Sequence, residues 1–379
     1  MRIAIVYDCW YPGTYGGAER WLDELAARMA SLGHEVTYVT HGFPGQEMVD
    51  YKVVALGKPH PLYRGDGVRQ IWPSVMFSLR VFRFLTSGGA SFDLVYVAQS
   101  PLWPALAASL AMIGRRRRLI VEWLEWWPLS YWTSYAGMIT GVLGFVTQWS
   151  ALVVSPRVVT YTRSTLDRVA SHKLASRILL LPGMFPLRLT PRSATVASAA
   201  TPLVLFVGRL VPDKNPTAAL ESMAVVQRER PEVEFRMVGN GPMLADLREL
   251  ADALGLGAGV VLGPVSEDRL AELWTRTAVL LHPSAREGYG LVVVEAYASG
   301  TPVVLVDFPD NAAVELVTDN STGRICASLS PGIVAQAVID ILDDHDSYRQ
   351  AVRTWYAREF PVRSSNSTAV AILKWVNRA

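Results

Sequence analysis

Ser284-Ala-Arg-Glu-Gly-Tyr-Gly-Leu-Val-Val-Val-Glu-Ala-Tyr-Ala-Ser-Gly-Thr-Pro-Val303 sets two carboxylates, Glu287 and Glu295, on either side of a glycine-bracketed turn that opens onto an apolar helix. A β-rich run, Ala278-Val-Leu-Leu-His-Pro283, leads into it, and Pro302 to Val306 reads as the next strand. A strand, a glycine turn and a helix N-terminus together let a backbone approach a diphosphate closely. Glu295 falls about one turn into the helix, near the reach of a ribose, and Glu287 precedes it, placed for whatever lies beyond the phosphates. An acidic loop ahead of a surface helix is the plainer alternative. The companions of this stretch, in chain order, weigh against it.

Working outward, the chain alternates apolar strand-like runs with helical periods almost from end to end. Arg2 to Tyr7 opens with a strand; Leu22, Leu25, Ala26, Met29 and Leu32 recur at helical spacing, Gly33 ends that helix, and Val36 to Thr40 is again a strand. Strands are expected at 53–56, 94–98, 119–123, 158–161 and 178–181, with helices between them, as in a parallel doubly wound sheet. Residues 190–202 are small and polar with prolines at both ends, the composition of a linker. A second alternating run follows: strands at 203–207, 233–238, 260–262 and 279–282, and helices from Pro216, Met243, near Ser266, at 330–343 and at 347–358. Pro361 is expected to break the pattern before a last amphipathic helix over about 367–376. The expected organisation is α/β, with an N-terminal domain over 1–189, a linker over 190–202 and a second domain over 203–360. Two Rossmann-like doubly wound domains facing across a cleft would make that cleft the ligand site.

The bulk numbers agree with two cores and exclude little else. The chain has 379 residues, half of them hydrophobic and only 18% charged. A net charge of +2 is too small to imply a nucleic-acid partner. Cys9 and Cys326 fit no metal-ligand spacing, so reduced thiols in a cytoplasmic protein are expected, and no secretion leader is read at the N-terminus. One stretch qualifies this. From Trp126 to Pro156 there is no charged residue and no histidine, and the apolar part, 136–154, approaches the length of a membrane span. Gly137, Thr140, Gly141, Gly144, Thr147, Gln148 and Ser150 dilute it. A helix buried in the domain or under a partner, and a patch at the membrane interface with its tryptophans at headgroup depth, are the other two readings. Arg115 to Arg118, just upstream, would suit anionic lipid heads and equally well a solvated turn.

Further constellations sit at strand ends. Leu203-Val-Leu-Phe-Val-Gly-Arg-Leu-Val-Pro-Asp-Lys-Asn-Pro216 ends a strand at Gly208 and brings Arg209 and Lys214 into the turn before a helix. Two cations there would suit a diphosphate, each contributing roughly 4 kcal/mol of Coulomb attraction at 4 Å and an effective dielectric near 20, before desolvation. Gly239-Asn-Gly241 is a second glycine-rich turn, and His282 stands at a strand end where a histidine is more often structural than catalytic. In the first domain a strand ends at Asp8, and Gly16-Gly17 opens the helix carrying Glu19, permitting close backbone approach. Neither Gly-x-Gly-x-x-Gly nor a P-loop lysine motif occurs there.

Taken together, Gly16-Gly17 with Glu19, Gly33-His-Glu-Val-Thr37, Gly208-Arg-Leu with Lys214, Gly239-Asn-Gly-Pro, and Glu287 seven residues before Glu295 resemble the retaining glycosyltransferases of family 4. The resemblance is collinear from about residue 3 to 360. It implies the GT-B fold, with a C-terminal helix over about 361–379 packing back on the first domain. It also implies a hexosyltransferase of polysaccharide or glycolipid biosynthesis that takes a nucleotide-diphosphate sugar donor, with no cofactor and no required metal. By position, Arg209 and Lys214 would hold the diphosphate and stabilise the leaving nucleotide, and Glu295 would bind the ribose. Glu287 would contact the sugar, and the backbone at Gly288, Tyr289, Gly290 and Leu291 would lie beneath phosphates and sugar. Gly16 and Gly17 would border the reacting centre, and Gly208, Gly239 and Gly241 would line the donor site. Catalysis in such an enzyme is positioning and charge stabilisation rather than attack by a protein nucleophile.

One departure stands out. Many relatives carry a histidine after the strand corresponding to 119–123, in contact with the donor sugar; this chain has Val121-Glu-Trp-Leu-Glu-Trp-Trp-Pro-Leu-Ser-Tyr-Trp132 instead. Spacing puts Glu125 nearest that position, with Glu122 the other candidate, and either is also readable as a structural acid in a Trp-rich loop. The expected function is sugar transfer from a nucleotide donor to a hydroxyl of a glycan or lipid-linked glycan, at the cytoplasmic face of a membrane. The competing readings are a non-catalytic nucleotide-sugar-binding subunit, which would bind donor without turnover, and another two-domain enzyme such as a sugar-nucleotide epimerase, which would isomerise donor without acceptor.

Overall fold

The computed structural model describes residues 1–11, 16–42, 49–58, 70–88, 92–114, 118–172, 177–189 and 201–377. Most of the expected linker and Arg115 to Arg117 lie outside them. The chain forms two compact units, Met1–Leu187 with Val362–Ala379, and Arg188–Pro361.

The first unit runs β1 (Arg2–Val6), α1 (Gly17–Ser31), β2 (Glu35–Thr40), β3 (Lys52–Ala55), α2 (Ile71–Gly88), β4 (Leu94–Val97), α3 (Leu102–Ala111), β5 (Leu119–Glu122), α4 (Leu129–Ala136), α5 (Met138–Val154), β6 (Val158–Thr160), α6 (Arg163–Ala170) and β7 (Ile178–Leu180). Its seven strands lie in the order β3-β2-β1-β4-β5-β6-β7, and every pairing is parallel. Central strands of such a sheet are covered on both faces, which is why β4 and the first three residues of β5 read as apolar runs with no alternation. The strand order reverses between β1 and β4, the place where the two halves of the sheet wind in opposite directions.

The second unit runs β8 (Leu203–Val207), α7 (Pro216–Glu229), β9 (Glu234–Val238), α8 (Leu244–Ala253), β10 (Val261–Gly263), α9 (Glu267–Arg276), β11 (Thr277–His282), β12 (Arg286–Glu287), α10 (Leu291–Ala298), β13 (Val303–Val306), β14 (Asp310–Asn311), β15 (Gly323–Cys326), α11 (Pro331–Asp343) and α12 (His345–Arg363), whose last two residues fall to the first unit. Its parallel sheet has the order β10-β9-β8-β11-β13-β15 and reverses between β8 and β11. Val204, Phe206, Leu220, Met223, Phe235, Met237, Leu281, Val304 and Val338 belong to one fully buried core that joins sheet to helices.

Pro361 does not end a helix as expected. α12 runs through it to Arg363, and α13 (Ser365–Asn377) begins almost at once. Pro361 removes one i→i−4 hydrogen bond in the last turn, and the helical backbone nevertheless continues two residues past it. The break is set by pairing: Phe185 N–H donates to Arg363 O at 3.0 Å and Ser365 N–H to Phe185 O at 2.8 Å, so the chain becomes strand-like at Ser364. α13 packs on α1, and Glu24 accepts hydrogen bonds from Ser365 Oγ and the Leu187 N–H.

The uncharged stretch is two helices rather than one, broken at Gly137. A Cβ on Gly141 would come within 2.5 Å of Trp132 O, and one on Gly144 within 2.5 Å of the Trp132 ring, so the small residues of α5 exist to admit α4. Gln148 ties the loop ahead of α4 to α5, accepting from Trp127 N–H and donating to Trp127 O. The inward face of α5 is therefore Gly141, Thr147, Gln148, Ala151 and Leu152, while Met138, Ile139, Val142, Leu143, Val146, Trp149 and Val153 point outward. The burial pattern is the reverse of an ordinary surface helix. No helix among the described residues is long and apolar enough to cross a membrane.

Candidate functional site

The turn after β8 and the loop after β11 meet at the carboxyl edge of the second sheet, at its reversal point. Residues Pro212–Lys214 form one 3-10 turn, and Asn215, left-handed at φ 48°, redirects the chain into α7. This turn is stitched to the other loop by backbone and side chain. Ala285 N–H donates to Asp213 O, Asn215 Nδ2 to Pro283 O, and Ser284 Oγ to Asp213 O. A short parallel pair, β12 with β14, fixes Glu287 opposite Asn311, and Arg286 pairs with Asp310 at 2.5 Å.

Held this way, Lys214 Nζ lies 2.5 Å from Glu287 Oε1 and also donates to Arg286 O at 3.0 Å. His282, the last residue of β11, brings its Nε2 to 2.6 Å from the same Glu287 oxygen. Both side chains of the ion pair are mostly covered, 13% and 15% exposed. Burial pushes the Glu287 carboxyl up, but the Lys214 ammonium and the His282 ring beside it hold it well below the usual carboxylate range. Arg209 stands exposed on the same turn with no ion-pair partner among the described residues. The result is one cation turned outward and one held by a carboxylate at the edge where an α/β sheet binds ligands.

The glycine turns follow from how closely these backbones pass. Gly208 N–H donates to Val238 O and Leu210 N–H to Asn240 O. Gly239 has φ +154°, and a Cβ on it would fall 1.8 Å from Gly208 O; a Cβ on Gly241 would fall 2.3 Å from Leu210 O. Gly288, Tyr289 and Gly290 lead into α10, with Gly290 at the N-cap, Leu291 at the first helical position and Glu295 half-buried just beyond the first turn. Among the described residues, no three His, Cys, Asp or Glu side chains are grouped to hold a metal ion.

In the first unit Gly16 caps α1 and Gly17 begins it; Pro12 to Tyr15 lie outside the described residues. The two acids after β5 separate sharply. Glu122 is fully buried, and its Oε1 accepts from Trp21 Nε1 at 3.1 Å, Tyr96 OH at 2.8 Å and Tyr161 OH at 2.9 Å, while Oε2 has no partner. Glu125 is half-buried on the following loop, its Oε2 receiving Trp127 Nε1 at 2.6 Å. Gln99 holds that loop by accepting from the Leu124 and Glu125 N–H groups. Glu125 is thus the acid a ligand can reach, in a loop lined by Trp127, Tyr131 and Trp132. The sequence reads His282 as more often structural and gives no sign of its contact with Glu287, which the turn between them creates.

Comparison with known proteins bears on this geometry. Residues 15–185 match the family described as Glycosyltransferase Family 4, and residues 192–358 match Glycosyl transferases group 1. The chain is 27% identical over 365 residues to a GDP-mannose-dependent alpha-(1-6)-phosphatidylinositol monomannoside mannosyltransferase of Mycobacterium tuberculosis, covering 89% of this chain and 88% of that one. It is 30% identical over 213 residues to a D-inositol 3-phosphate glycosyltransferase of Streptomyces avermitilis, covering 51% of this chain and 46%, under half, of that relative. Its fold is that of the Anabaena protein HepE, solved with UDP and glucose, at TM-score 0.77 and 16% identity over 100% of this chain and 99% of that one. WaaG, a glycosyltransferase involved in lipopolysaccharide biosynthesis, shares it at TM-score 0.76 and 15% identity, over the full length of both chains.

The buried Glu122 gives a pH signature. Burial raises its carboxyl, and the bonds from Tyr96, Tyr161 and Trp21 only partly oppose this. A carboxyl raised by folding contributes stability below its unfolded value, about 4.3, and loses that contribution as pH rises through the folded value. Each unit of difference is worth about 1.4 kcal/mol. Glu122→Gln is expected to flatten the fall in stability that sets in as pH rises above the unfolded value, read by chemical denaturation at each pH; an unchanged slope contradicts the assignment.

Proposed function

The chain belongs to the family 4 glycosyltransferases, and from that premise we propose that it transfers a hexose, with retention of configuration and without a metal ion, from a nucleotide-diphosphate sugar to a hydroxyl of a glycan or lipid-linked glycan. The observation that carries this reading is the Lys214–Glu287 pair at the reversal point of the second sheet, with Arg209 exposed beside it. Arg209 and Lys214 receive the diphosphate, and Lys214 exchanges its carboxylate partner for a phosphate oxygen. The backbone from Gly208 to Leu210 and at Gly239 and Gly241 walls the nucleotide. The N–H groups that open α10 after Gly288, Tyr289 and Gly290 face the phosphates, and Glu295 takes the ribose hydroxyls. Glu287 binds hydroxyls of the sugar; within the first unit, Glu125 is the carboxylate able to accept hydrogen bonds from a sugar hydroxyl, and Gly16 and Gly17 open the helix where a backbone can approach a ligand closely.

In the transfer, the bond from the anomeric carbon to the donor phosphate oxygen breaks and a bond to the acceptor oxygen forms on the same face. The acceptor proton passes to the departing phosphate oxygen, whose charge Arg209 and Lys214 stabilise. No protein nucleophile enters, and the residues act by position and charge.

The acceptor side of this proposal is a membrane surface at the cytoplasmic face. Its support is the outward face of α5, where seven apolar side chains including Trp149 stand exposed, together with α2, α3 and α4, which carry no acidic residue. Arg83 and Arg118 are exposed on the same unit. An exposed apolar helix face on a unit that also carries exposed cations fits the interface of an anionic bilayer.

Two experiments test this. Thermal unfolding with UDP, GDP, ADP and their sugar conjugates, with and without EDTA, is expected to show stabilisation by one nucleotide class, unaffected by EDTA and lost in Lys214→Ala. At ligand 100-fold above Kd this is about 2.7 kcal/mol, or roughly 2–4 °C. No shift at millimolar ligand overturns the donor assignment, and donor binding without turnover on any acceptor moves the chain to the non-catalytic reading. In flotation with vesicles containing phosphatidylglycerol, the protein is expected to rise with the lipid. Ile139→Glu and Val146→Glu, at positions 87% and 50% exposed, are expected to abolish this while leaving the nucleotide shift intact. A wild-type chain that stays at the bottom at low and moderate salt removes the membrane contact.

A further inference from the structure

His282 ends β11 in register with Leu305 of β13 and is 1% exposed. Its Nε2 faces Glu287 Oε1, and an ionised carboxylate only accepts, so Nε2 carries the proton. The other ring nitrogen, Nδ1, is buried with no hydrogen-bond partner. A bare ring nitrogen inside a strand end is unfavourable, and an apolar residue would fill that space at less cost. What the imidazole supplies that an apolar residue cannot is the single contact with Glu287.

That contact matters once the donor arrives. The main chain at Glu287 is already fixed by the β12–β14 pair and the Arg286–Asp310 bridge, so the freedom left to the residue is rotation of its side chain. Lys214 and His282 meet the carboxylate at one and the same oxygen. On the donor-site reading above, on which this inference rests, the diphosphate draws Lys214 away. Glu287 would then be a mostly buried carboxylate with one strong partner remaining.

We propose that His282 is a positioning residue for the transfer, holding the Glu287 carboxylate against the donor sugar while Lys214 is turned to the diphosphate. Its effect is on the sugar and not on the nucleotide. Binding of a nucleoside diphosphate engages Arg209 and Lys214 and gains nothing from an aimed Glu287, whereas binding and turnover of the sugar nucleotide do.

The experiment compares wild type with His282→Leu, His282→Asn and His282→Gln, using calorimetric titration of the nucleoside diphosphate and of its sugar conjugate, and steady-state kinetics. A glutamine amide reaches to about the Nε2 position, whereas an asparagine amide stops near Nδ1. The expected result is nucleoside diphosphate affinity within about 2-fold of wild type in all three variants. In His282→Leu and His282→Asn, sugar-nucleotide affinity falls about 10-fold and kcat about 10- to 100-fold, and His282→Gln regains most of both. If His282→Leu does not fold, the contrast between His282→Asn and His282→Gln carries the test. Equal loss for both ligands, no loss for either, or a His282→Gln as impaired as His282→Asn overturns the proposal. A wild-type chain that binds no nucleoside diphosphate fails earlier and sinks the donor-site reading itself.

Discussion

Glu287 is a mostly covered carboxylate, and covering a charge is unfavourable unless something compensates it. Here the compensation is Lys214 on one side and His282 on the other, both at one oxygen. Much of the local architecture serves to bring these groups together. The 3-10 turn at Pro212–Lys214, the left-handed Asn215, the bond from Ala285 to Asp213 and the small β12–β14 pair each fix one approach. The glycine at 239 exists because the neighbouring Gly208 carbonyl leaves no room for a Cβ. An ion pair of this kind is poor as a source of stability and good as a device, because either partner can be exchanged for a ligand of the same charge. A diphosphate offers that exchange to Lys214.

The first unit solves a different problem. Its β5 ends in a carboxylate that never reaches solvent, Glu122, held by Trp21, Tyr96 and Tyr161, and its usable acid, Glu125, stands three residues later on a loop braced by Gln99. On its outside, α5 spends its small and polar residues inward on α4 and the Trp127 loop and leaves its apolar ones outward. A helix with that distribution lowers its free energy further against an apolar surface than in water. The two units thus carry different surfaces, a charged cluster at a sheet edge in the second and an apolar helix face in the first.

Much of this was legible in the residues themselves. Parallel strands covered on both faces leave unmistakable apolar runs, and β8 and the start of α7 fall where the sequence puts them. The candidate residues that the structure gathers at the edge of the second sheet were marked as well, because they stand at glycine turns that end strands. Their partnerships were not. Lys214 and Glu287 are 73 positions apart, and only the sheet order that sets β8 beside β11 makes them neighbours. His282 looked isolated for a different reason: Glu287 is only five positions on, but neither a strand nor a helix period pairs residues at that spacing, and the turn between them decides the contact. Spacing favoured Glu125 over Glu122, but the burial that separates them was hidden because the donors around Glu122 come from α1, β4 and just beyond β6. The reversed faces of α5 were hidden because periodicity reports apolar residues and not which side a neighbour takes. Pro361 misled since a bridge to Phe185, not the proline, ends α12.

The central claim is that Lys214 changes partners, from Glu287 to a diphosphate. A crystal structure of the protein with its nucleoside diphosphate bound tests it most directly. The account predicts Lys214 Nζ within hydrogen-bonding distance of a phosphate oxygen and away from Glu287 Oε1, with His282 still on the carboxylate. A nucleotide bound while Lys214 remains on Glu287, or bound away from the turn after β8, contradicts it.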